Sequence, residues 1–348
     1  MGNKHCPNVG NSSIYVKMDG VEFNPGDKIF GDIYLILEKD VEEAILDFKF
    51  EGKEIVDFYP NMKKQYAGSD KIHRTKHLAN QVTKIPLPTP KFISAGQYKF
   101  PFSITLPVEI PGSFYSEEGQ IVYTVGGELF SGSSILLEHS VEISVRERVE
   151  DIQFSVTKEV HKNLKTWLFS SKGHADIKVH IERNCLCPGE TLPIHVEADC
   201  RNTSLSLKKI KVILYKETEY RDTTGNNASE VRYIFYEKFP GVKVGTTNTL
   251  EVSIPIPSNV YPTTKGELIN CCYYLKVKGK AAGFRIGSHS PKLKIPIFVF
   301  CLPVEQSVMN APENWNPYSM PKASIYIKHP TEDELAIIEE ESKKQKKK

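Results

Sequence analysis

In the stretch GQYKFPFSITLPVEIPGSF, Gly96 to Phe114, prolines stand at 101, 107 and 111, and apolar residues alternate between the first two. Proline has no amide hydrogen, so in a central strand it loses a ladder bond. Pro101 therefore marks a strand start or a sheet edge. Phe100, Phe102, Ile104 and Leu106 share one face, which points into a core. Pro107 ends the strand, and VEIPGSF is a rigid crossover. GQIVYTVGGEL, Gly119 to Leu129, is the strand that it feeds. The stretch holds no catalytic motif; its role is to carry the chain across a sandwich of two sheets.

The same period of two runs through most of the chain. In KIFGDIYLILE, Ile29, Ile33, Leu35 and Leu37 share a face with Gly31. In KKIKVILYK, Ile210, Val212 and Leu214 face one way, and Lys209, Lys211 and Tyr215 the other. CCYYLKVKGK sends Cys271, Tyr273, Leu275 and Val277 to one side and Lys276 and Lys278 to the other. Such alternation predicts strands with one wet face. Turn signals separate them at Asn24-Pro25-Gly26, Thr224-Gly225-Asn226 and Pro240-Gly241. KHLANQV, Lys76 to Val82, is the one helical candidate before the tail.

The landmarks also repeat. Pro25-Gly26-Asp27 and Pro188-Gly189-Glu190 each precede a strand, and at one fixed offset Pro107 falls on Pro257 and Tyr123 on Tyr273. Two similar units of this length predict tandem immunoglobulin-like β-sandwiches, an all-β fold. The expected layout is a flexible N-terminus at 1–13, sandwiches at 14–150 and 151–303, and a partly helical or disordered tail at 304–348.

Charge divides along the same boundary. Residues 1–150 carry 16 Lys and Arg against 21 Asp and Glu, while 151–303 carry 22 against 14. A basic second half suits an anionic membrane or phosphorylated segments. The net charge of +2 over 348 residues gives no reason to expect nucleic acid. No apolar run reads as a signal peptide or membrane span, so the seven cysteines are expected to be reduced thiols in the cytosol.

Phosphate loops, nucleophile elbows, zinc-protease helices and EF-hand loops are all absent. The chain is therefore read as non-catalytic and without cofactor. Cys185 with Cys187, and Cys271 with Cys272, could supply thiolates to a metal together with His180 or His195, but neither pair has zinc-knuckle spacing. Alternation also parts Cys271 from Cys272. No metal is expected.

AGQYKFPFSITLPVEIPGSFYSEEGQIVYTVGGEL resembles the hallmark of arrestin-fold proteins, the α-arrestins in particular. IERNCLCPGETLPIHVEADCRNTSLSLKKIKVILYKETEY resembles the opening of that family's second domain. The resemblance implies arrestin N- and C-domains and a non-catalytic trafficking adaptor in the cytoplasm, peripheral at plasma membrane or endosomes. Its partners would be the cytosolic tails of receptors or transporters and the endocytic or sorting machinery. A retromer-type coat subunit of the same fold is the alternative. Many α-arrestins dock ubiquitin ligases through Pro-Pro-x-Tyr. This chain has only Asn316-Pro317-Tyr318, without the paired proline.

The ends carry short signals. Gly2 is a myristoylation candidate and Cys6 a palmitoylation candidate. Lys343, Lys344, Lys346, Lys347 and Lys348 form a basic end suited to an anionic membrane. Asp333 with Ile337 and Ile338 resembles an acidic dileucine signal, and Leu335 to Glu339 resembles a clathrin box. The competing reading of 331–342 is one amphipathic helix.

Overall fold

The computed structural model describes residues 10–60, 71–149, 152–165, 171–282, 290–300, 314–331 and 334–335. They fall into two compact units. The first lies within Met1–Asp57, Ile72–Arg148 and Pro303–Lys348, the second within Phe58–Lys71 and Val149–Leu302. Each is a β-sandwich, and among the described residues no helix is long and apolar enough to cross a membrane.

In the first unit, one sheet runs β1 (Ser13–Met18), β3 (Lys28–Leu37), β8 (Gly96–Thr105). The other runs β2 (Glu22–Phe23), β11 (Ser134–Val145), β10 (Gly119–Ser131), β5 (Ala44–Phe58), β6 (Ile72–Ile85). β9 (Phe114–Tyr115) adds to β10, and β4 (Val41–Glu42) pairs with β7 (Phe92–Ile93). The inward faces are those that alternation assigns: Ile33, Leu35, Phe100, Phe102, Ile104 and Leu106 are all buried. Phe48 of β5 meets Phe102 of β8 across the sandwich, ring centroids 5.0 Å apart.

The second unit repeats the design. One sheet runs β12 (Phe154–Lys165), β13 (Ser171–Arg183), β15 (Thr191–Asp199), β18 (Thr247–Pro255). The other runs β14 (Cys185–Leu186), β21 (Lys292–Val299), β20 (Ile269–Ala281), β16 (Leu207–Arg221), β17 (Asn227–Val242), with β19 (Thr264–Lys265) on β20. Short parallel pairs, β2 on β11 and β14 on β21, recur at matching places.

The repeated landmarks do the same work twice. Gly26 and Gly189 both turn the chain at positive φ, 85° and 87°, where a side chain would be strained. Their amides donate to Pro107 O and Ile256 O, at 3.1 and 3.0 Å. The Asp27 and Glu190 carboxylates reach back to the amides of Asn24 and Cys187. Tyr123 and Tyr273 are buried, and each hydroxyl donates to the carbonyl twelve residues earlier, of Pro111 and Tyr261. Without that bond a buried tyrosine hydroxyl would lose its partner, at a cost of about 1–3 kcal/mol.

Two local readings need revision. Residues 76–82 are not helical; they lie in β6, an edge strand, where the ladder with β5 overrides a weak local preference. Within the tail, β22 (Tyr318–Ser319) and β23 (Ala323–Tyr326) pair parallel to β8. Together they cover its outer edge but skip Phe100 and Pro101, as a residue without an amide hydrogen requires.

One buried histidine makes this fold sensitive to acid. His139 on β11 is 8% exposed. It stacks on Tyr15, centroids 4.4 Å apart, and its Nδ1 accepts the Val16 amide at 3.1 Å. Only a neutral imidazole can accept there, and burial lowers its pKa below the ordinary value. The unfolded chain takes up the proton near pH ~6.5, so stability is full above that pH and falls below it. The melting temperature should drop between about pH 7.5 and 5.5, and His139→Gln, which keeps an acceptor, should flatten the drop. An identical pH profile in the variant would refute this role.

Candidate functional site

Strand alternation on β16 and β20 buries Ile210, Val212, Leu214, Cys271, Tyr273, Leu275 and Val277, each at most 1% exposed. It must then turn Lys209, Lys211, Lys276 and Lys278 outward. Register assembles these lysines with those of the flanking strands. Lys238, Lys211, Lys278 and Lys292 stand side by side on β17, β16, β20 and β21. The next row is Tyr236, Ile213, Lys276 and Lys294, and the one after is Tyr233, Tyr215, Tyr274 and Pro296. On the other side of the lysine row, Lys209 lies between Pro240 and Lys280.

Like charges directly opposite one another across strands are destabilising. The tyrosines offset part of that cost. Lys294 Nζ lies 3.2 Å from the Tyr274 ring centroid, and Lys211 and Lys238 each lie 5.4 Å from that of Tyr236. Glu217 comes within 3.6 Å of Lys294. The Lys276 ammonium is still disfavoured: burial and the charges of Lys292, Lys278 and Lys294 lower its pKa below the ordinary value. Burial pushes the Tyr274 phenol up to about 12, so it stays neutral at physiological pH. Four strands span about 14 Å. The result is a basic patch edged by aromatic rings, which an array of phosphate groups would neutralise.

Gly2, Cys6, Asp333, Ile337, Ile338, Glu339 and the lysines from Lys343 to Lys348 are outside the described residues. Leu335 is described; its amide donates to Thr331 O at 2.9 Å. Thr331 and Glu334 exchange hydrogen bonds in a capping box, a helix-start signature.

Among the described residues the cysteines join no group of three metal-ligating side chains. Cys185, Cys200 and Cys271 are buried, Cys187 is exposed, and Cys272 turns outward to Asn270 Oδ1 at 3.3 Å. His180 pairs instead with Thr157 Oγ1 at 2.9 Å, and His195 with Glu251. Burial raises the Cys271 thiol to about 11, far from the thiolate form that reacts. Brief alkylation of the native protein should therefore label Cys187 and spare Cys271 until the chain unfolds. Peptide mapping by mass spectrometry checks this, and rapid labelling of Cys271 would count against the buried placement.

The lysine face was only half visible in sequence. Alternation exposes Lys209, Lys211, Lys276 and Lys278, but their meeting with Lys238, Lys292 and Lys294 depends on pairing between distant segments.

Comparison with known families agrees with the doubled architecture. Residues 14–150 match the family model described as arrestin (or S-antigen), N-terminal domain. Residues 171–304 match the corresponding C-terminal domain. Among relatives, arrestin domain-containing protein A of Dictyostelium discoideum is 21% identical over 287 residues, covering 77% of this chain and 48% of that protein. Arrestin domain-containing protein 4 of Mus musculus is 26% identical over 218 residues, 61% of this chain and 50% of its own. Arrestin domain-containing protein 5 of Bos taurus is 24% identical over 164 residues, 45% and 46% respectively. The chain thus spans about half the length of these relatives. With both domain models matched in order over the two sandwiches, the chain belongs to the arrestin family, on its α-arrestin side.

Proposed function

We propose that the chain is a non-catalytic trafficking adaptor that works at the cytosolic surface of a membrane. In this reading the lysine and tyrosine face of the second sandwich rests on anionic headgroups. An edge of one of the sandwiches takes an extended segment of a membrane protein by strand addition. Endocytic or sorting machinery is then recruited by the assembled complex. The observation that carries the reading is the row of Lys238, Lys211, Lys278 and Lys292 across four strands. Such a row is unfavourable unless an anionic partner offsets it.

Gly2, Cys6 and the terminal lysines would add to the same attachment. One acyl chain holds a protein only marginally, and a basic patch makes the anchorage stable. Asp333, Leu335, Ile337, Ile338 and Glu339 would supply the sorting contact.

Flotation with vesicles tests the membrane part. Binding should require anionic lipid and weaken with salt; equal binding to neutral phosphatidylcholine vesicles would refute it. Affinity capture from native membranes tests the adaptor part. Substoichiometric transporters or receptors together with sorting proteins support it. A stoichiometric multisubunit coat would instead select the retromer-type alternative.

A further inference from the structure

The other sheet of the second sandwich carries a group of side chains that the adaptor reading does not use. Register places His161 of β12 directly opposite Asp176 of β13. His174 stands two residues before Asp176, on the same outward face. His161 Nδ1 lies 2.7 Å from Asp176 Oδ1, and His174 Nε2 lies 3.8 Å from Asp176 Oδ2. One ligand atom from each residue lies within 4.8 Å of the other two. The two imidazole rings approach to 4.0 Å between centroids.

Asp176 Oδ1 is shielded from solvent and receives no hydrogen bond, although His161 Nδ1 is so near. Asp199, opposite Asp176 on β15, is engaged otherwise: its carboxylate takes the Arg201 amide at 2.7 Å and the guanidinium at 2.9 and 2.6 Å. Asp176 is thus the carboxylate left to the pair of histidines.

We propose that His161, His174 and Asp176 bind a zinc ion on the outer face of this sheet. Two imidazoles and one carboxylate are an established zinc donor set. Tetrahedral bonds of about 2.0–2.2 Å put ligand atoms about 3.3 Å apart. The observed spacings need only small rotamer adjustments to reach that value. Three protein ligands leave a coordination position for water or for a donor from a partner. The ion would also clamp β12, an edge strand, to β13.

The test uses the full chain, stripped with chelator and desalted, then titrated with zinc chloride and separately with cobalt chloride. Zinc should raise the melting temperature, and chelator should reverse the rise. The cobalt adduct should show visible ligand-field bands without a thiolate charge-transfer band. His174→Asn and Asp176→Asn should each weaken zinc binding at least about tenfold, judged against the loss seen when even supporting residues are removed. Cys187→Ser should leave it unchanged. The site is wrong if both ligand variants bind zinc as the parent does, if zinc leaves the melting temperature unmoved, or if a thiolate band appears and the Cys187 variant loses binding. Should Asp176→Asn fold poorly, the exposed His161→Asn replaces it, and the cobalt spectrum of the unaltered chain still discriminates.

Discussion

Replacing Lys211, Lys278 and Lys292 together by glutamine should weaken binding to vesicles rich in anionic lipid by about a hundredfold. A lysine near such a surface contributes about 1 kcal/mol, so three contribute about 3 kcal/mol. The residual binding should be less sensitive to salt, because fewer screened charges remain. Stability should move the other way. The parent holds these three ammonium groups in one row with Lys238, and neutralising them removes unfavourable cross-strand pairs. Weaker binding with an unchanged or higher melting temperature would locate the contact on this face. Unacylated bacterial protein is the right material, since no lipid at Gly2 or Cys6 then contributes. Undiminished binding in the triple variant would remove the face from the membrane contact and leave the ends of the chain to supply it.

The parts of this fold that were legible in sequence are those fixed by neighbours along the chain. Alternation assigns Ile33, Leu35, Phe100, Phe102, Leu214 and Tyr273 to the core because a pleated strand sends every second side chain one way. The Pro-Gly-acid turns and the two tyrosines announce the repeat because each is a local device with a strict geometric need. What depends on pairing between remote segments was not legible. His161 and Asp176 look unrelated at fifteen residues' separation until register sets them opposite each other. The expectation of no metal rested on cysteine spacing and never considered these histidines. Lys238 and Lys292 likewise join Lys211 and Lys278 only through the ladder. The strands of the tail were hidden for a different reason. β22 and β23 are short and separated by Pro321, so neither shows a readable period.

That tail supplies the other large expected effect. Ile325→Asp combined with Ile327→Asp should release residues 314–331 from the first sandwich. Both isoleucines are buried, 5% and 6% exposed. Burying an isoleucine contributes about 2 kcal/mol, so the pair accounts for about 4 kcal/mol of docking before the cost of placing two carboxylates in an apolar site. The remaining contacts are individually weaker: the short ladders of β22 and β23 on β8, the amides of Met320 and Ile327 on Lys99 O and Thr105 O, at 2.8 and 3.2 Å, the Asn316 amide on Gln97 Oε1 at 3.0 Å, Trp315 edge-on to Tyr34, and His329 Nδ1 on Leu78 O at 3.3 Å. They are also spread along a segment whose ordering entropy they must offset. Trypsin should leave Lys322 and Lys328 intact in the parent and cut both in the variant. The amides of Ser103 and Thr105, which point to the tail side of β8, should exchange faster as that edge loses its cover. An uncovered β8 is also a template for another strand, so the released form should self-associate as its concentration rises. Equal protection of Lys322 in parent and variant would mean that the isoleucines do not hold the tail. Cleavage in the parent itself would mean that β8 keeps no cover at all.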